Sequence, residues 1–149
     1  MSKKSKKVVI SKNPYSGKTA RAEQNPVNYD TTRFKWLISP IYIDYDHDIY
    51  GWDRIPVQYL LGTIVTRFHT LEGQTWAEIK LADNHNHSKP IVELEGELQS
   101  RLKERDLDHL ENLFQISVGN VPRIFGYREK QIFYPMWWDE THSICPTNP

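Results

Sequence analysis

Apolar and polar residues alternate in four stretches of the chain, and between the first and the last three they recur at helical spacing. In "RFKWLISPIYI", Phe34, Trp36 and Ile38 fall on one side, which predicts a first strand that Pro40 ends or confines to a sheet edge. In "RIPVQYLLGTIVTRFHTLE", Val57, Leu60, Leu61, Ile64, Val65 and Phe68 form one apolar stripe. That stripe predicts a long helix with Asp53 as N-cap, Pro56 in its first turn and Gly73 at its end. "TWAE" has capping-box spacing, Thr75 to Glu78, and predicts a short second helix. After the polar loop "LADNHNHSKP", Ser88 and Pro90 are placed to open a third helix, "IVELEGELQSRLKER". Its stripe is Ile91, Leu94, Leu98 and Leu102, weakened at Gly96, and "DLDHLENL" adds a further turn capped by Asp106.

Three strand-like runs follow: residues 113–118, 123–129 and 131–139. The last, "QIFYPMWWD", has bulky side chains on both faces and predicts a strand covered on both sides. Pro135 cannot donate to a ladder, so it marks an edge or a bulge. A strand, helices and then an antiparallel meander predict an α+β domain with helices packed on a small sheet. Residues 31–149 form that domain. Residues 1–30, rich in Lys, Ser, Asn and Pro, read as a basic flexible tail with a short strand candidate at "KVVIS".

With 149 residues the chain suffices for one core. No apolar run approaches the ~20 residues of a membrane helix, and the N-terminus lacks the apolar core of a signal peptide. The one cysteine, Cys145, excludes an internal disulfide and a multi-cysteine zinc site. These features predict a cytoplasmic protein without a membrane partner. The formal charge is zero but uneven. Residues 1–22 hold seven Lys or Arg and no acid; the rest hold the other twelve basic residues and all nineteen acids, a balance of −7. A basic head can lie along phosphates, or simply remain solvated.

Several residues could carry chemistry. Asp44, Asp46 and Asp48 have the opening spacing of a calcium loop, but Ile49 and Ile55 stand where that loop needs Gly and Glu. His85 and His87 alternate in a loop and could supply an acid–base pair or ligate a metal; the plainer reading is a solvated loop. Cys145 has no histidine arranged behind it except His142 and is set aside as a nucleophile. Trp52, Trp76, Trp137 and Trp138 read as core. Arg101 could meet a phosphate, though an i,i+4 bridge from Glu97 accounts for it.

The segment "PRIFGYREKQIFYPMWWDETHS" resembles the end of the RelE/YoeB/HigB superfamily of bacterial toxins: an arginine opening the penultimate strand, alternating aromatics, a charged turn, an apolar strand and a terminal histidine. "TWAEI", "NHNHS", "QSRL" and "WWDETHSI" are also similar to a set of small bacterial proteins with a WWD-x-x-H ending. The resemblance spans residues 34–146. It implies a RelE-like fold and metal-independent RNA cleavage without a cofactor, with RNA or the ribosome and a small antitoxin as partners. In such a site His142 is base or acid, Asp139 orients it, Arg123 clamps phosphate, and Tyr127 stacks on a base or gives a proton. The family's catalytic lysines and second arginine have only Arg128 and Lys130 as counterparts, and its basic body is here acidic. The alternative is a non-catalytic protein- or nucleic-acid-binding module on the same scaffold.

Overall fold

The computed structural model describes residues 27–82 and 85–145. The head's "KVVIS" strand and most of the tail expected at 1–30 lie outside the described residues. Tyr29–Thr31 form a 3-10 turn, and Asp30 binds Lys80 at 2.6 Å and Arg128 at 2.7 Å.

The architecture is α+β, built on a five-stranded mixed sheet of order β1-β5-β4-β3-β2. The strands are β1 Lys35–Trp36, β2 His87–Pro90, β3 Asn112–Ser117, β4 Arg123–Glu129 and β5 Ile132–Asp139. The last three make the expected meander. β1 joins β5 in parallel over Ile132 and Phe133 only, ahead of Pro135. Pro135 is tolerated because the β4–β5 register shifts beside it, between Phe125 and Gly126. Gly126 faces Pro135, and a side chain there would run into the Tyr134 carbonyl and the Phe133 ring.

Helices cover both faces of the sheet. Helix α1 comprises an α turn Val57–Tyr59, a π segment Leu60–Ile64 and an α segment Val65–Leu71; α2 is Trp76–Ala82 and α3 is Gly96–Glu104. Under α1 and α2 lies a core of Phe34, Ile64, Phe68, Trp76, Phe114, Ile124, Phe133 and Trp138, among others. Under α3 lies a second core that includes Leu98, Leu102, Leu113, Phe125, Met136 and Trp137. The adjacent tryptophans of β5 therefore serve opposite cores, as strand alternation requires.

Four helix expectations are corrected. In α1 the amide of Val65 reaches back five residues to the Leu60 carbonyl. This extra residue in the turn shifts the facing positions back by one. Tyr59 and Leu60 pack on the core, while Val57 and Leu61, assigned to the stripe, are exposed. Pro56 rather than Asp53 precedes the helix. Ser88 and Pro90 do not open a helix: they belong to β2, a 3-10 turn spans Ile91–Glu93, and α3 starts only at Gly96. Asp106 takes a left-handed conformation (φ 59°) just past α3, and no further helical turn follows. The capping box holds: Thr75 and Glu78 exchange backbone-to-side-chain bonds of 2.8 and 3.2 Å. Among the described residues no helix is long and apolar enough to cross a membrane.

Candidate functional site at the sheet end

Alternation along "LFQISV" puts Gln115 and Ser117 on the α3 face of β3, opposite the side that carries Phe114 and Ile116. Register carries that row across the sheet: Ser117 pairs with Arg123, and Arg123 with Asp139. Asn86, just ahead of β2, closes the row. Its side-chain oxygen accepts from the Ser117 amide at 2.9 Å and its nitrogen donates to the Ile79 carbonyl at 3.2 Å. One end of the sheet thus holds Asn86, Gln115, Ser117, Arg123 and Asp139, each nearly inaccessible to solvent.

Asp139 organises the segment after β5. Its Oδ1 accepts from the Ser143 amide (2.9 Å) and hydroxyl (3.2 Å), and its Oδ2 from the Ile144 amide (2.8 Å). These bonds hold the chain in a turn whose third residue after Asp139 is His142, at φ 58°. Ile144 enters the α3-side core and anchors the turn from beyond. Tyr50 reaches the Ser143 hydroxyl at 3.4 Å.

His142 is half-buried, and burial, followed by the charge of Arg123, lowers its pKa below the usual 6.5; Asp139 acts the other way, while His85 and His87 add to the lowering. The imidazole is therefore neutral at pH 7. The fold thus brings His85 and His87 into electrostatic reach of His142, although 54 residues or more separate them in sequence. Both loop histidines are exposed. Gln115 donates to the His85 carbonyl at 2.8 Å, and the His87 ring lies 3.0 Å from the Ser88 carbonyl. Among the described residues no group of three or more His, Cys, Asp or Glu is arranged to hold a metal ion.

Arg123 is placed differently from an open phosphate clamp. It is 2% exposed, and its Nη1 donates to the carbonyls of Asn120, Val121 and Pro122 at 3.0–3.3 Å. It delivers positive charge from below the surface. Tyr127 lies four residues along β4, about 13 Å from Arg123, stacked against Tyr42 and Tyr134. Arg128 is held by Asp30 and lies over the Trp76 ring at 4.1 Å. Lys130 is exposed in the β4–β5 turn at φ 61°. Tyr127, Arg128 and Lys130 thus sit toward the opposite end of the meander from His142.

Arg101 makes neither a phosphate site nor the expected bridge to Glu97. It clamps the buried carboxylate of Asp44 with Nε at 2.9 Å and Nη2 at 2.6 Å, and Trp137 donates to the same carboxylate at 2.9 Å. Cys145 is partly buried, and its thiol pKa is raised by desolvation. The sheet-end residues that motif reading missed are Asn86, Gln115 and Ser117. Two polar side chains on alternate positions of an otherwise apolar strand were the available signal for the last two.

Compared with protein-family models, with curated proteins and with solved structures, the chain finds no match in any of the three.

Proposed function

We propose that the chain is a RelE-like, toxin-type ribonuclease that cleaves RNA without a metal, using the histidines at the end of its sheet. The observation that carries this reading is that Arg123, His85 and His87 all lie within electrostatic reach of His142 at one end of the sheet, where Gln115 holds the His85 carbonyl and Asn86 holds Ser117. RNA can cleave itself when its 2′-hydroxyl attacks the adjacent phosphorus. The step needs a base for the 2′ proton, positive charge for the phosphorane and a proton for the departing 5′ oxygen. His142, neutral at pH 7, is suited to take the 2′ proton. Exposed His85 or His87 is suited to protonate the leaving oxygen. Arg123 supplies a fixed positive field from beneath, and Asp139 positions His142 through the turn it holds. A small antitoxin protein covering this end would silence the site. The meander at the C-terminus is the part of the fold that supports RelE-likeness.

The test is induced expression in a bacterial host, together with cleavage of a labelled RNA by purified protein, with and without ribosomes. Wild type is expected to arrest growth and to leave 2′,3′-cyclic phosphate ends. His142→Ala is expected to lose about 10²-fold in cleavage rate or more and to restore growth, with His85→Ala or His87→Ala next in effect. Absence of both arrest and cleavage in wild type defeats the reading.

A second reading, a non-catalytic interaction module, is favoured by one observation: the guanidinium of Arg123 and the carboxylate of Asp139 are engaged with backbone groups. In that case His142→Ala leaves every cellular readout unchanged.

A further inference from the structure

The turn end of the meander carries a second set of groups. On the α3 face Tyr127 and Tyr134 pair across β4 and β5, stacked with ring centroids 6.4 Å apart. Tyr42 closes over them, 5.3 Å from Tyr127 and 4.7 Å from Tyr134. All three rings are only partly buried, and none of their hydroxyls has a hydrogen-bond partner among the described residues. A tyrosine cluster placed only to fill a core would be covered and its hydroxyls bonded.

Cations stand at the same end. Lys35 pairs in register with Ile132, Lys130 lies in the turn before it, and Arg33 shares the side of β1 that carries Lys35. All three are exposed, and none makes a side-chain hydrogen bond or ion pair among the described residues. The other two cations here, Lys80 and Arg128, already share Asp30. Most remaining arginines of the body are engaged with its own groups: Arg101 with Asp44, Arg105 with the Tyr42 and Ile43 carbonyls, Arg67 with the Ser117 carbonyl. Glu129, exposed and opposite Ile132, is an acid on the tyrosine side of the corner.

We propose that this corner is a single-stranded RNA subsite, in which the tyrosines stack one or two bases and Arg33, Lys35 and Lys130 hold the flanking phosphates. The proposal rests on the ribonuclease reading for its choice of polymer and says where the substrate is gripped. Rings lying on a sheet can reach a base only when it is unstacked, which selects single strands over duplex. About 13 Å along β4 separate the tyrosines from Arg123, with Phe125, Met136 and Trp137 buried under α3 between them.

The test is fluorescence anisotropy of the full chain with a ~12-nucleotide single-stranded RNA, 2′-O-methylated so that it cannot be cleaved, titrated at several salt concentrations. Reversing Arg33, Lys35 and Lys130 together to Glu is expected to weaken binding about tenfold or more and to flatten the log K against log salt slope by about 2, three phosphates at ~0.7 each. Arg54→Glu, Lys89→Glu and Lys103→Glu together, three cations elsewhere on the body, control for net charge. Tyr127→Leu keeps an apolar side chain but removes the ring; a drop of about five- to tenfold is expected, with Tyr127→Phe binding like wild type. Glu129→Gln is expected to tighten binding about twofold.

The proposal is overturned if the triple reversal weakens binding no more than the control, or if Tyr127→Leu binds normally. Equal affinity for duplex RNA, or binding to anionic vesicles in place of RNA, also overturns it. The two readings fail separately. Tyrosine- and cation-dependent binding with no cleavage of unmodified RNA keeps the subsite and defeats the ribonuclease. Cleavage that ignores both sets of substitutions does the reverse.

Discussion

Asp44 and Asp139 are both buried carboxylates against β5, at 1% and 0% exposure, and they do different work. Asp44 is met by charge: the Arg101 guanidinium grips both its oxygens, and the Trp137 indole donates to one of them. Its own amide donates to the Met136 carbonyl, so it fixes the loop between β1 and α1 onto β5 and ties both to α3. Asp139 is met by backbone amides and a serine, all within five residues of it in sequence. The first carboxylate joins distant elements and makes the scaffold. The second shapes one turn and aims one histidine. A buried acid is therefore no pointer to chemistry until its partners are known.

Removing Asp44 should have the largest effect. Asp44→Ala leaves the Arg101 guanidinium only the exposed carboxylates of Asp46 and Glu104 and leaves a buried indole N–H without an acceptor, a loss of about 3 kcal/mol. Urea unfolding would measure it, and a midpoint unchanged from wild type would show that the clamp contributes nothing. The pH dependence has a definite sign. Burial pushes the Asp44 pKa up, but hydrogen bonds from Arg101 and Trp137 outweigh it, so the folded value lies below 3.8. Stability from Asp44 is complete above about pH 4 to 5 and is lost as pH falls through the folded value. In Asp44→Ala that acid-sensitive component should vanish.

The contrast between the two carboxylates also explains what was legible in the sequence. The meander could be read because β3, β4 and β5 alternate over six to eight residues each. β2 could not: four residues, "HSKP", end in proline and exist as a strand only through pairing with β3. The π segment was hidden because "LLGTI" satisfies an ordinary helical stripe equally well. Asp139 and His142 lie three residues apart, so their association was visible. Asp44 and Arg101 lie 57 residues apart, and nothing local in "DYDHD" announces a partner on another helix. The same limit hid Asn86, whose partner Ser117 lies 31 residues away, and left open whether His85 comes within electrostatic reach of His142.

Neutralising Asp139 gives a smaller loss of stability and a larger change in the site. Asp139→Asn keeps an acceptor for the Ser143 amide but sets an NH₂ against the Ile144 amide, at a cost of about 1–2 kcal/mol. It also removes the negative charge that counters Arg123 at His142, so the His142 pKa should fall further. An NMR pH titration of the imidazole would follow this directly. The stability linkage runs in the same sense. With the folded pKa below 6.5, the unfolded chain takes up the proton first, and the fold loses stability as pH drops from about 7 through that range. An upward shift of the His142 pKa in Asp139→Asn would mean that the carboxylate does not face the ring.

The smallest effect on stability separates structure from function most cleanly. His142 sits at φ 58°, a conformation that costs an L side chain about 1 kcal/mol and costs glycine almost nothing. The turn itself is held by Asp139, Ser143 and Ile144, none of which uses the imidazole. His142→Gly should therefore leave stability unchanged or raise it by about 0.5 kcal/mol, after the lost packing of a half-buried ring is set against relieved backbone strain. If the histidine were only the third residue of a turn, this substitution would improve the protein at no loss. If it is the base, the same protein folds as well or better and cleaves RNA about 10²-fold more slowly. Urea unfolding and cleavage measured on one preparation of His142→Gly distinguish the two, because a residue kept in a strained conformation that glycine would relieve is kept there for its side chain.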